Sequence, residues 1–148
     1  MGRTNLWAVA PPTSWPRTLA RLALGAMLVY AGTSHLTFAR AEFVAQVPKV
    51  LPLSEDFVVV ASGIVEITLG LSLLLLGRWR IPVGLIVAAF FIAIFPGNIS
   101  QYLNGVDAFG LDTDTKRLVR LFFQPLLVIW ALWGTGAWAW LRSGRPLD

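Results

Sequence analysis

The chain has 148 residues, 56% hydrophobic and 14% charged, with a formal net charge of +4 and a mean hydropathy of +0.68. Soluble domains average roughly 45–50% apolar and 25% charged residues, so this composition points to a single-domain membrane protein. The basic excess needs no nucleic acid, since basic residues at cytoplasmic helix ends give the same imbalance, and the absence of cysteine excludes disulfides, thiolate metal sites, iron–sulfur clusters and CxxC redox chemistry.

Residues 1–18 are polar, proline-containing and basic, and read as a cytoplasmic tail. The first apolar run covers about 19–38. Its basic start and the following Ala39-Arg40-Ala41 also fit a signal peptide. Against that, Gly25, Leu28, Gly32 and His35 fall at the spacing of a packed helix face, and a first spanning helix is expected. Residues 39–56 alternate apolar and charged side chains, and Pro48 and Pro52 break any long helix. A short interfacial helix lying on the membrane is expected there.

The second run, 57–77, holds one charge, Glu66. At about 1.5 Å per residue it matches the roughly 30 Å hydrocarbon core of a bilayer. A carboxylate in mid-span costs roughly 2.5–3.5 kcal/mol and is tolerated when it faces protein or water, or takes up a proton. Arg78-Trp79-Arg80 then makes a tight basic turn. A third run over 81–102 carries no charge, a polar acidic loop follows, and the fourth run covers 119–141 before a second cytoplasmic tail, 142–148.

The expected fold is therefore all-α: an integral membrane four-helix up-down bundle with a short interfacial helix after helix 1. Its orientation follows from charge. The 1–18 tail with Arg21, the 78–80 turn and the C-terminus carry seven Arg against Asp148 alone, whereas the opposite side carries five basic residues among six acids. Both termini are expected in the cytoplasm, in a cell (inner or plasma) membrane. Five of the seven Trp (7, 15, 79, 138 and 140) then fall at the inner interface.

The polar residues of the spans gather in the outer half: Ser34 and His35 on the first, Ser62 and Glu66 on the second, Asn98, Ser100 and Gln101 on the third, Arg120 and Gln124 on the fourth. Helical spacing groups Val59, Ser62, Glu66 and Gly70 on one face, Gly84, Ala88, Phe91, Phe95 and Asn98 on a second, and Arg117, Arg120, Gln124, Leu127 and Ala131 on a third. Pro96 and Pro125 each free a carbonyl one turn earlier, acceptable at depth only beside protein or a wet cavity. The candidate ligand-binding residues are His35, Ser62, Glu66, Asn98, Arg120 and Gln124, with Glu66 the candidate proton acceptor or donor. Each also has a plainer reading. Glu66 is glue held by Ser62 and a neighbouring helix, His35 a solvated cap, Asn98 and Gln124 interhelical hydrogen-bonders, and Arg120 a snorkelling cation. Glu66 is expected either unpaired and neutral or kept ionised by Arg120 or a protonated His35. It lies about 13 Å below the start of its helix by helical rise, with His35 and Arg120 nearer the surface, which favours the first case. With one His and one intramembrane Glu the set is poor for a metal, and no self-sufficient catalytic motif is present.

The motifs AGTSHLTF (31–38), VPKVLP (47–52), SGIVEITLGLSLLL (62–75), FPGNISQYLN (95–104) and RLFFQPL (120–126) occur in that order. In this ordered set the chain resembles the DoxX-like family of small four-helix membrane proteins, over about residues 19–140. The resemblance implies that His35, Glu66, Asn98, Arg120 and Gln124 match the family's characteristic polar positions. The family name comes from a subunit of a terminal quinol oxidase or thiosulfate:quinone oxidoreductase, and other members are linked to redox complexes or membrane-protein assembly. The paired cysteines of some relatives are missing here, which argues against thiol chemistry.

Three function classes follow. The first is a small membrane subunit that binds a quinone or other apolar ligand near Glu66, between aromatic walls (Tyr30, Phe91, Phe95, Phe122, Phe123), and serves a redox complex. The second is a non-enzymatic assembly or accessory protein. The third is a proton-coupled carrier of a small solute, disfavoured by the narrowness of four helices and the lack of a broken-helix repeat. The implied partners are the lipid bilayer, redox or assembly proteins and a second copy in a homo-oligomer.

Overall fold

The computed structural model describes residues 10, 13–37, 44, 47, 52–105 and 113–143, and every regular element among them is helical. Helix α1 spans Trp15–Leu36 and starts upstream of the apolar run. Pro16 sits in its first turn, where a missing N–H leaves no bond unmade and the fixed φ suits a helix. At its other end Thr33 and Ser34 donate to the Val29 and Ala31 carbonyls at 2.7 and 2.6 Å, the local bonding by which such side chains satisfy backbone without water. The interfacial helix expected within 39–56 lies mostly outside the described residues. α2 (Glu55–Leu75) begins inside that segment; Ser54 caps it by accepting from the Phe57 N–H at 3.3 Å, and Glu55 and Asp56 favour the positive end of the helix dipole.

A 3₁₀ turn, Gly77–Trp79, reverses the chain into α3 (Arg80–Ala93). The run expected as one span over 81–102 is in fact two helices, because α4 (Phe95–Asn104) is set off by a turn at Ile94. Pro96 causes the break: it has no N–H for the Ile92 carbonyl, and its ring crowds the preceding turn. α5 (Asp114–Thr135) is capped by Thr113, which accepts from the Lys116 N–H at 3.2 Å. It too departs from its expected bounds of 119–141. Gly136, at φ +79°, ends it in the left-handed conformation that closes helices, and α6 (Ala137–Ser143) follows.

Among the described residues three stretches are long and apolar enough to cross a membrane: Glu55–Leu75, Gly77–Asn104 and Asp114–Thr135. α1 has the length of a span but is diluted by Arg17 and Arg21 at one end and Thr33, Ser34 and His35 at the other. α1 packs most extensively on α2, α3 on α5, and α5 also meets α1 and α4. The α1–α2 contact is set by glycine. Gly25 faces the Gly70 carbonyl and Gly32 the Gly63 carbonyl, so a Cβ added at any of the four would lie within 2.7–3.1 Å of the opposite carbonyl oxygen. The two pairs, spaced seven residues apart on each helix, let the antiparallel backbones touch and fix the offset between them. Leu24, Leu28, Leu69, Leu73, Val83, Val87, Ala88, Phe91 and Ala131 fill the core.

Candidate functional site

The glycine contact decides the environment of Glu66. A Cβ on Gly63 would come within 2.9 Å of the His35 Cβ, so His35 lies flat on α2 one turn from Glu66. Glu66 is 5% exposed and His35 8%. The His35 Nδ1 is 2.8 Å from the Ala31 carbonyl and 2.8 Å from Glu66 Oε2. A carbonyl only accepts, so Nδ1 carries the proton. That N–H is directed at Ala31, and the carboxylate approaches it off-axis, a close charge contact rather than an aligned hydrogen bond. The expectation of an unpaired Glu66 is therefore corrected. Counting depth along α2 alone missed that α1 stops at Leu36 while α2 begins further out, at Glu55, which brings the last turn of α1 level with Gly63.

Across the cavity, Gln124 is a hub, 1% exposed. Its Oε1 accepts from Asn98 Nδ2 at 3.1 Å and from Arg120 Nη1 at 3.3 Å. Its Nε2 donates to the Phe91 carbonyl at 2.6 Å. Phe91 belongs to the last turn of α3, whose carbonyls lack helical partners. The Pro96 break is thus closed by a side chain of α5, and the same amide orients Asn98 and Arg120. Arg120 also lies near enough to Glu66 for their charges to interact.

These groups surround one cavity of about 830 Å³. His35, Ser62, Glu66, Asn98 and Arg120 line it, and Gln124 stands behind Asn98 and Arg120 rather than in the wall. The six residues singled out from the sequence thus come together, five in the lining and one as its support. The remaining wall is apolar, with Met27, Leu28, Val59, Phe90, Phe91, Ile94, Phe123 and Leu127.

The expected aromatic wall needs correction. Phe91 and Phe123 line the cavity, but Tyr30 and Phe122 point outward, 66% and 67% exposed, and Phe95 is not in the lining. Phe90 takes part instead, tilted 53° against Phe91 with ring centroids 6.2 Å apart. It was missed because it is one residue off the Ala88–Phe91 face, and a cavity wall is wider than a helix–helix seam. Val47, buried at 8%, also contributes, from a segment whose alternating pattern suggested the membrane surface. Among the described residues no group of three or more His, Cys, Asp or Glu is placed to hold a metal.

Residues 24–135 match the family described as a domain of unknown function, DUF8561. The chain belongs to that family. No curated protein and no solved structure matches it. The matched stretch runs from the middle of α1 to the end of α5 and contains every residue of the cavity wall. The family description assigns no activity, so the chemistry must come from the residues. An apolar chamber whose polar side holds a carboxylate, an imidazole, a guanidinium and an amide suits a ligand with a greasy body and a small polar head.

Proposed function

We propose that this protein is a DoxX-like four-helix membrane protein that binds a quinone, or a similar apolar molecule with a polar head, beside Glu66 and serves a redox partner. The observation that carries this reading is the cavity: about 830 Å³, largely apolar, with His35, Glu66, Asn98 and Arg120 in its wall. Asn98 and Arg120 are donors suited to a quinone carbonyl, and His35 with Glu66 forms a proton-holding pair. Reduction of a quinone to a quinol takes two electrons and two protons. The electrons come from the redox partner. The His35–Glu66 pair would pass one proton to the quinone oxygen beside it and be reprotonated from the outer, aqueous side, and the second oxygen would take its proton from that same side.

The membrane placement has its own support. No more than a third of each candidate span is buried inside the molecule, and its outward residues include Ile64, Leu71, Ile86, Ile92, Phe122, Leu126 and Ile129. Such surface is stable in lipid and not in water. With the Arg-rich ends inside, both termini lie in the cytoplasm of a cell-membrane protein. On the cytoplasmic side of Glu66 the core is the dry cluster around Leu24, Leu73 and Val87, each essentially unexposed. This favours a pocket open to one side over a carrier that alternates between two.

The test is mass spectrometry of protein purified in mild detergent, beside a Glu66→Gln variant reloaded with ubiquinone. The wild type is expected to retain quinone. The variant should keep its helix content, because the His35 N–H is directed at the Ala31 carbonyl and a neutral amide of the same shape takes the place of the carboxyl group, while losing proton-coupled reduction of the bound quinone. If neither protein binds quinone, or Glu66→Gln is indistinguishable in binding and reduction, the accessory-protein reading takes over.

A further inference from the structure

At the Arg-rich end a second cleft, of about 410 Å³, is lined by Arg17, Trp138, Ala139 and Arg142. We propose that it binds the phosphodiester of an anionic phospholipid, with Arg17 and Arg142 on the phosphate and Trp138 against the glycerol and upper acyl chain. The inference rests on the membrane placement above but not on the quinone reading of the Glu66 cavity.

The cleft is assembled by the fold. Arg17 comes from the first turns of α1 and Arg142 from the last turn of α6, and they meet because Gly136 turns the chain at the end of α5. Arg17 is held in place by stacking on Trp133, 5.7 Å from the ring centroid. Behind it lie Arg21 and Arg80, close enough that Arg80 feels the positive charge of both Arg17 and Arg21. Among the described residues this end carries Arg17, Arg21, Arg78, Arg80 and Arg142 and no carboxylate; Glu55, Asp56 and Asp114 open the helices at the other end and Glu66 is in mid-span. Like charges gathered around a cleft raise its potential, and an anion relieves the repulsion. Guanidinium groups suit phosphate, which they bind through paired N–H donors.

The surroundings select a lipid rather than a free ion. Trp15, Leu19, Trp133 and Trp138 are 74%, 56%, 42% and 53% exposed, an apolar and indole-rich rim of the kind that sits at headgroup depth. Basic pockets between helices on the cytoplasmic side are suited to anionic headgroups.

Native mass spectrometry on protein from nanodiscs of dioleoyl phosphatidylglycerol, or of dioleoyl phosphatidylcholine, tests the assignment. The wild type should retain phosphatidylglycerol and not phosphatidylcholine. Arg142 is exposed and at the end of a helix, so Arg142→Gln leaves the fold intact; it should weaken retention by about fivefold, and the double variant with Arg17→Gln by roughly twenty- to thirtyfold. Arg78→Gln is the charge-matched control, because Arg78 stacks on Trp79 at 4.8 Å and does not line the cleft. It should change retention by less than about twofold. Equal loss with Arg78→Gln, equal retention of both lipids, or displacement of the lipid by excess inorganic phosphate would each overturn the proposal.

Discussion

Glu66 and His35 are each under a tenth exposed, and their facing atoms are 2.8 Å apart. Removing either takes away the nearest polar side chain of the other, and leaves the His35 N–H to the Ala31 carbonyl and Glu66 to the more distant charge of Arg120. Breaking one side of a buried pair costs roughly 3–5 kcal/mol, whereas replacing both by packed apolar groups is often close to neutral. We therefore expect His35→Leu and Glu66→Leu each to lower unfolding free energy in detergent by about that amount, and the double variant to lose much less than the sum. Strict additivity would show that the two side chains do not support one another. Glu66→Gln, which keeps the side chain's shape and leaves the His35 N–H on the Ala31 carbonyl, should cost about 1 kcal/mol or less.

At the scale of the element, the α1–α2 seam works because four positions have no side chain. A Cβ on Gly70 would lie 2.7 Å from the Gly25 carbonyl and 2.8 Å from the Val29 backbone nitrogen, neither of which can move without shifting a helix. Gly70→Ala should therefore separate α1 from α2 and cost about 1–3 kcal/mol, the usual range for overpacking. Gly77→Ala is the contrast. Its nearest neighbour is the tip of Arg21 at 3.3 Å, a side chain rather than backbone although held by its bond to the Leu73 carbonyl, so a smaller cost of about 1 kcal/mol or less is expected in the same unfolding assay. Because the seam also sets the level of His35 against Glu66, Gly70→Ala should weaken ligand retention as well as stability.

For the whole molecule, the unequal distribution of charge predicts topology. Among the described residues Arg17, Arg21, Arg78, Arg80 and Arg142 lie at one end without an acid, and the other carries Lys116, Arg117 and Arg120 together with Glu55, Asp56 and Asp114. Basic residues are retained on the cytoplasmic side during insertion. Since the chain has no cysteine, single substitutions report position directly. Asp112→Cys should react with an impermeant maleimide added outside intact cells, and Arg142→Cys only after the membrane is opened. Labelling of Asp112→Cys from the cytoplasmic side alone would invert the arrangement, and with it the side to which the Glu66 cavity opens.

Periodicity within one helix is a local property, and it was readable from the chain. Gly25, Leu28, Gly32 and His35 form a buried stripe because residues three and four apart share a face, and Arg117, Gln124 and Ala131 do the same on α5. The cavity's polar residues stood out because each is costly in an apolar run unless something faces it. Helix ends were less legible. The end of α5 at Gly136 and the break at Ile94 depend on single residues, Gly136 and Pro96, whose effect turns on which backbone groups find partners. Pairing between helices was not legible at all. That His35 meets Glu66, and that Phe90 rather than Phe122 faces the ligand space, depends on the offset and rotation of one helix against another. Those are decided by the glycine contacts of α1 with α2 and by the reach of Gln124 to the Phe91 carbonyl, where the groups that touch lie dozens of residues apart in the chain.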